Sequence, residues 1–186
     1  MEGPNQELED VANAFANINF QDGLKLSLRN KGYQLFDRVM KEADMLRLKL
    51  VEVEAGFKQI RSKQLCNVLL DHSLMNRGEF QLDCNSNQQL AYVGDAYLSL
   101  YLAKKCFKEK KTPGSYSSMR QRYCCNKRLA LIHDQLLHPV LPICWDGVIP
   151  GVKQKSECLE ALIGMLYEVG HQDLADFICK RVMMAQ

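Results

Sequence analysis

A single acid, Asp95, stands in an otherwise apolar and uncharged run, Asn87-Gln-Gln-Leu-Ala-Tyr-Val-Gly-Asp-Ala-Tyr-Leu98. On a helix, Gln88, Ala91 and Asp95 fall at i, i+3 and i+7 and share one face. A lone carboxylate on such a face is costly unless something compensates it. A second acidic stretch, Lys153-Gln-Lys-Ser-Glu-Cys-Leu-Glu-Ala-Leu-Ile-Gly164, places Glu157 and Glu160 at i and i+3 beside an apolar run. Two neighbouring carboxylates repel unless they are solvated or hold a cation. If the two helices pack together, three carboxylates converge, and hard divalent cations favour such oxygen sites. A Mg²⁺ ion held there can activate water and brace a phosphate for in-line attack. From spacing alone the plainer reading wins, because Glu-x-x-Glu is common on the wet edge of surface helices.

The elements that would position these acids are helical. The chain has 186 residues, 47% of them hydrophobic and 25% charged, which suits one globular domain with an appendage and argues against disorder. A net charge of +2 gives no global basic field, so any nucleic-acid site must be local. Eight cysteines are scattered without a Cys-x-x-Cys pair, and four isolated histidines offer no zinc spacing. With no signal peptide at Met1-Glu-Gly-Pro, the thiols read as free and the protein as intracellular, with cytoplasm, nucleus and organelle undistinguished. No apolar run approaches the roughly 18 residues that span a bilayer, so no membrane partner is expected.

Residues 1–30 hold a short amphipathic segment with Leu8, Val11, Ala12, Phe15 and Ile18 at helical spacing, followed by a polar stretch around Asp22-Gly23. Residues 1–61 form a helical extension, ahead of a domain over 62–186. Its main feature is one long helix over about 32–61, where Phe36, Val39, Ala43, Leu46, Leu50, Val53, Phe57 and Ile60 step by three and four. That heptad-like seam either recruits a partner protein or lies across its own domain, and Phe at two seam positions with Gly56 inside favours the latter. Helices then follow over 62–77, 87–107, 115–137 (two, or one kinked), 153–169 and 173–184. The loop between 137 and 153 carries Pro139, Pro142, Trp145-Asp146-Gly147 and Pro150. No period-two strand with hairpin punctuation occurs, so the fold class is all-α.

Several motifs in order resemble one family. Leu90-Ala-Tyr-Val-Gly-Asp-Ala96 is similar to the signature helix of ribonuclease III, usually Leu-Glu-Phe-Leu-Gly-Asp-Ala. Glu157 to Gly164 resembles its second acidic helix, usually Asp-x-x-Glu-Ala-Leu-Ile-Gly. Gly114-x-Tyr-Ser-Ser-Met-Arg120, Asn126-x-x-Leu-Ala130 and Leu69-Leu-Asp-His-Ser73 resemble three further stretches of that family. Each piece is weak alone, but their order over about residues 63–186 is specific.

The resemblance implies an all-α endonuclease domain that acts as a dimer on double-stranded or structured RNA with Mg²⁺, or Mn²⁺, leaving 5′-phosphate and 3′-hydroxyl ends. On matched positions Asp95 and Glu160 would be the main catalytic, metal-holding carboxylates. Glu157, where the family usually has Asp, would assist. Gln88, Arg120, Asn126 and Lys153 would contact RNA. Tyr92 and Gly94 would lie at the interface with an identical subunit or another ribonuclease III-like one. The family's signature glutamates fall at Gln88 and Ala91, so up to two negative charges are missing and a weaker or single metal site follows. A minimal bacterial branch of the family is active with the same Leu-Ala-Tyr run. No α-β-β-β-α module for duplex RNA is read in the chain. The second hypothesis, motivated by Gln88 and Ala91, is a catalytically inactive subunit that serves dimerisation or RNA docking in a larger complex.

Overall fold

The computed structural model describes residues 22–71, 87–144 and 149–184, with backbone alone over 22–33 and at 36. The amphipathic segment expected before residue 20, the His72-Ser73 end of its motif and the Trp145-Asp146-Gly147 loop lie outside them. The described residues form seven α-helices and a short 3-10 helix, and no strand is found among them. The helices are α1 (Asp22–Val53), α2 (Ser62–Leu69), α3 (Asn87–Lys108), α4 (Pro113–Tyr123), α5 (Asn126–Leu137), α6 (Val152–Glu168) and α7 (Gln172–Met184). The all-α expectation holds.

Helix α6 is the axis of the molecule. Cys158, Leu159 and the run Ala161–Leu166 are all buried, so α6 is enclosed on nearly every side, and α2, α3, α5 and α7 pack around it. Each fully buried Leu or Ile here contributes roughly 1.5–3 kcal/mol relative to exposure.

The long periodic seam is buried in the chain's own core. Val39, Ala43, Leu46 and Leu50 of α1 are at most 1% exposed, and α1 lies against α2 and α5. Those positions are therefore closed to a partner helix. One hydrophobic cluster runs from Val39 to Val182 and spans the boundary expected at residue 61.

The expected helix through residue 61 is corrected. α1 stops at Val53, and a 3-10 helix over Ala55–Gln59 turns the chain. Glu54 is extended (φ −153°, ψ 122°), and its carboxylate accepts the Gly56 N–H at 3.3 Å. A Cβ on Gly56 would stand 2.8 Å from a Leu174 methyl, so the turn is tucked beneath α7. Arg47 then ties it back to α1, donating to the carbonyls of Ile60 (2.7 Å) and Lys58 (3.1 Å). Phe57 and Ile60 keep the phase of the seam and remain buried, although they are no longer on that helix.

The crossing of α3 and α6 is built on two glycines. A Cβ on Gly94 would collide with the Glu160 carbonyl, lying 2.6 Å from its carbon. A Cβ on Gly164 would strike the Leu90 carbonyl and stand 3.0 Å from the Gly94 nitrogen. Only glycine permits this backbone-to-backbone approach. It fixes where the side chains on either side of the crossing can reach.

Candidate active site

Asp95 follows Gly94 on α3, and Glu160 is the α6 residue whose carbonyl touches Gly94, so the crossing brings these two acids together. Glu157 lies one turn before Glu160 on α6. The carboxyl of Glu160 is pushed up to about 8, first by burial and then by the negative charges of Asp95 and Glu157. Among the described residues Glu160 has no ion pair. Glu157 is paired with Lys153 at 3.6 Å, and Lys153 is mostly exposed.

Asp95 answers to Arg120 on α4. The guanidinium Nη2 lies 3.5 Å from Asp95 Oδ2, and Nε donates to Ser99 Oγ at 3.1 Å. Ser99 sits one turn beyond Asp95, so both face the same strip of α4. Thr112 caps α4 by accepting the Ser115 N–H at 3.2 Å, and Pro113 occupies its first turn. No residue of α4 is buried. A cleft of about 870 Å³ opens between these helices, lined by Asp95, Ser99, Tyr116, Arg120, Cys124 and Cys125. Burial and the neighbouring Asp95 charge push the Cys124 thiol up to about 11, so it stays protonated and is not a nucleophile.

The remaining expected site residues are spread more widely. Asn126 is exposed at the first position of α5, and Gln88 is half-buried near the start of α3. Ala91, where the resemblance leads one to look for an acid, is buried in the core. Lys155 is turned away from the acids. It donates to Asp134 at 2.9 Å, and Asp134 in turn meets the fully buried His133 at 3.2 Å. Burial lowers the pKa of His133 and favours the neutral ring.

One expectation is corrected. Gly94 does not face a second subunit, because the space on its Cβ side is filled by Glu160 of its own chain. Tyr92 points outward and is 68% exposed. Sequence reasoning missed Ser99 and the pairing of Arg120 with Asp95, and it gave Tyr116 no role beyond its motif. The available signal was the i, i+4 spacing of Asp95 and Ser99.

Among the described residues, no three His, Cys, Asp or Glu side chains are gathered closely enough to hold a metal ion. Mg²⁺ asks for less, since one or two carboxylates with water and substrate oxygens satisfy it. Asp95 and Glu160 supply that donor type, and the like-charge repulsion on Glu160 is what a cation would relieve. The residues present fit such an ion.

Comparison with known proteins agrees with this architecture. Residues 88–171 match the family model of the ribonuclease III domain. No curated protein matches the chain. Among solved structures, the nuclease domain of ribonuclease III from Campylobacter jejuni, described for structural flexibility in its dimer-forming region, superimposes with a TM-score of 0.59. The match covers 73% of this chain and 94% of that one at 22% identity, and it shows the shared fold. The family-model match and the shared fold together support placing residues 88–171 with the ribonuclease III domain.

Proposed function

We propose that the protein is a divalent-cation-dependent endoribonuclease that cuts double-stranded or structured RNA as a dimer. The observation that carries this reading is the α3–α6 crossing, which holds Asp95 beside Glu160 and leaves Glu160 repelled by two like charges with no cation of its own among the described residues. In this reading Asp95 and Glu160 hold Mg²⁺ or Mn²⁺, with Glu157 assisting from the next turn. Such an ion supplies Lewis-acid activation of water and charge stabilisation at the phosphate. Arg120 lines the cleft and offers its planar fork to a phosphate. Lys153, exposed ahead of the acids, adds a second phosphate contact. Gln88 and Asn126 supply amides for the ribose edge, in keeping with recognition of duplex RNA by shape and 2′-hydroxyls.

Water adds to phosphorus in line, the P–O3′ bond breaks, and the departing 3′ oxygen takes a proton. The products are a 5′-phosphate and a 3′-hydroxyl. The outward, 68% exposed Tyr92 is the anchor for a second subunit, identical or homologous.

One observation favours a second reading, an inactive dimerisation or RNA-docking subunit. The core holds an uncharged Ala91 where the family resemblance leads one to look for an acid, and Arg120 already neutralises Asp95. A cleavage assay on duplex RNA with Mg²⁺ or Mn²⁺ decides between them. The enzyme reading expects cleavage that Asp95→Asn and Glu160→Gln each reduce by at least about 100-fold. No wild-type cleavage with any divalent ion, together with RNA binding unchanged in Asp95→Asn, establishes the inactive subunit instead.

A further inference from the structure

Among the described residues the Arg120 side chain makes two hydrogen bonds, both to α3: Asp95 Oδ2 at 3.5 Å and Ser99 Oγ at 3.1 Å. Asp95 and Ser99 are one turn apart, so the guanidinium lies against α3 along the wall of the cleft. Two other cations of α6 have carboxylates of their own. Lys153 is with Glu157 and Lys155 is with Asp134. Glu160 has no ion pair among the described residues. Among the described residues, positive charge is therefore unevenly distributed, with one cation on Asp95 and none on Glu160.

We propose that Arg120 is the resident counter-ion of Asp95 and competes with the divalent cation for that carboxylate. The ion's arrival and the release of the arginine toward substrate phosphate are then a single event. This proposal rests on the reading of Asp95 and Glu160 as the cation-holding pair.

Charge balance is the first argument. With Glu160 ionised, as a bound cation requires, three carboxylates (Asp95, Glu157, Glu160) face two paired cations (Arg120, Lys153), a balance of one negative charge. A divalent ion added to that set overshoots by one positive charge. Departure of Arg120 restores neutrality.

Mobility is the second. The Arg120–Asp95 contact is a single one at 3.5 Å, and the two side chains are 49% and 42% exposed, which is the weak class of surface ion pair. Arg120 also sits on a helix without a buried residue, so its side chain can swing without disturbing the core. Once free, it remains on the wall of the cleft formed with Ser99 and Tyr116, where its fork can take a phosphate in two parallel hydrogen bonds.

Linkage makes the coupling reciprocal: whatever draws Arg120 away from Asp95 tightens the ion, and the ion frees Arg120 for phosphate.

The test is a titration of the full chain with Mn²⁺ alone, without RNA, reading free Mn²⁺ by electron paramagnetic resonance. Wild type is compared with Arg120→Gln, Arg120→Lys and, as a control of equal charge change, Arg122→Gln. Circular dichroism confirms that each variant keeps its helices. Arg120→Gln is expected to bind Mn²⁺ about tenfold more tightly, the scale of one elementary charge removed from close to a divalent ion near a protein surface. Arg120→Lys is expected between the two, and Arg122→Gln near wild type. Unchanged or weaker binding by Arg120→Gln, with wild type binding normally, overturns the proposal and leaves the carboxylate pair standing. Equal tightening in Arg122→Gln also overturns it, because the effect is then one of bulk charge. If neither wild type nor Arg120→Gln binds Mn²⁺, the cation reading of Asp95 and Glu160 fails, and the proposal fails with it.

Discussion

The two walls of the candidate site are made in opposite ways. The α3–α6 wall is backbone against backbone, with Gly94 and Gly164 each admitting a carbonyl of the other helix. The α4 wall has no buried residue, and it meets α3 through the polar contacts of Arg120 and a sulfur contact between Cys106 and Met119 at 3.7 Å. The acids stand on the rigid wall and the arginine on the loose one. That division suits a site in which the ion-holding groups must be preorganised while the phosphate-binding group must move.

Breaking the rigid wall gives the largest effect. Gly94→Ala puts a methyl group where Glu160 backbone already lies, and flexible side chains cannot yield to relieve it. Overpacking of this kind costs about 3 kcal/mol or more, so the variant should melt at least about 6 °C below wild type or fail to fold. A calorimetric Tm within a few degrees of wild type would show that α3 and α6 can part at little cost.

The next test concerns the charge stored on that wall. The folded-state pKa of Glu160 lies near 8, above the ordinary carboxylate value of 4.5. As pH rises, the unfolded chain gives up this proton first, so the folded state loses stability progressively from about pH 4.5 to about pH 8. That loss is absent below pH 4.5. In chelator, Glu160→Gln should flatten this part of the Tm-against-pH curve and melt several degrees above wild type at pH 8. Added Mn²⁺ should raise wild type more than the variant. Parallel curves would mean that Glu160 titrates like an exposed glutamate.

The smallest effect lies on the loose wall. Thr112→Ala removes the cap of α4 and costs about 1 kcal/mol, confined to that helix. Hydrogen exchange should quicken by roughly fivefold over Pro113–Tyr123, with α3 and α6 unchanged. Quickening that spreads into α6 would mean that the two walls are one cooperative unit.

Periodicity marked α3, α6 and α7 to within a residue or so of their observed ends, because their apolar faces are long and their flanks carry Gly or Pro breakers. It overran the end of α1. Phe57 and Ile60 stay in phase and stay buried, so the pattern cannot register that Glu54 and Gly56 have turned the chain between them. Asp95 and Glu160 were legible as acids out of place on apolar helices. The counter-ion of Asp95 was not, since Arg120 lies 25 positions away across a loop and nothing in its spacing specifies a partner. Gly94 announced a close approach in the sequence without saying to what. The structure answers with a helix of the same chain.

The paired glycines carry one consequence for how such a protein can change over time. The gap between the two acids is gauged by peptide planes in contact, and not by the volumes of the surrounding side chains. Residues such as the buried Ala91 can be replaced, and the core around them rewritten, while the gauge keeps its setting. The side chains around the crossing can in this way be exchanged while Asp95 and Glu160 stay on either side of it.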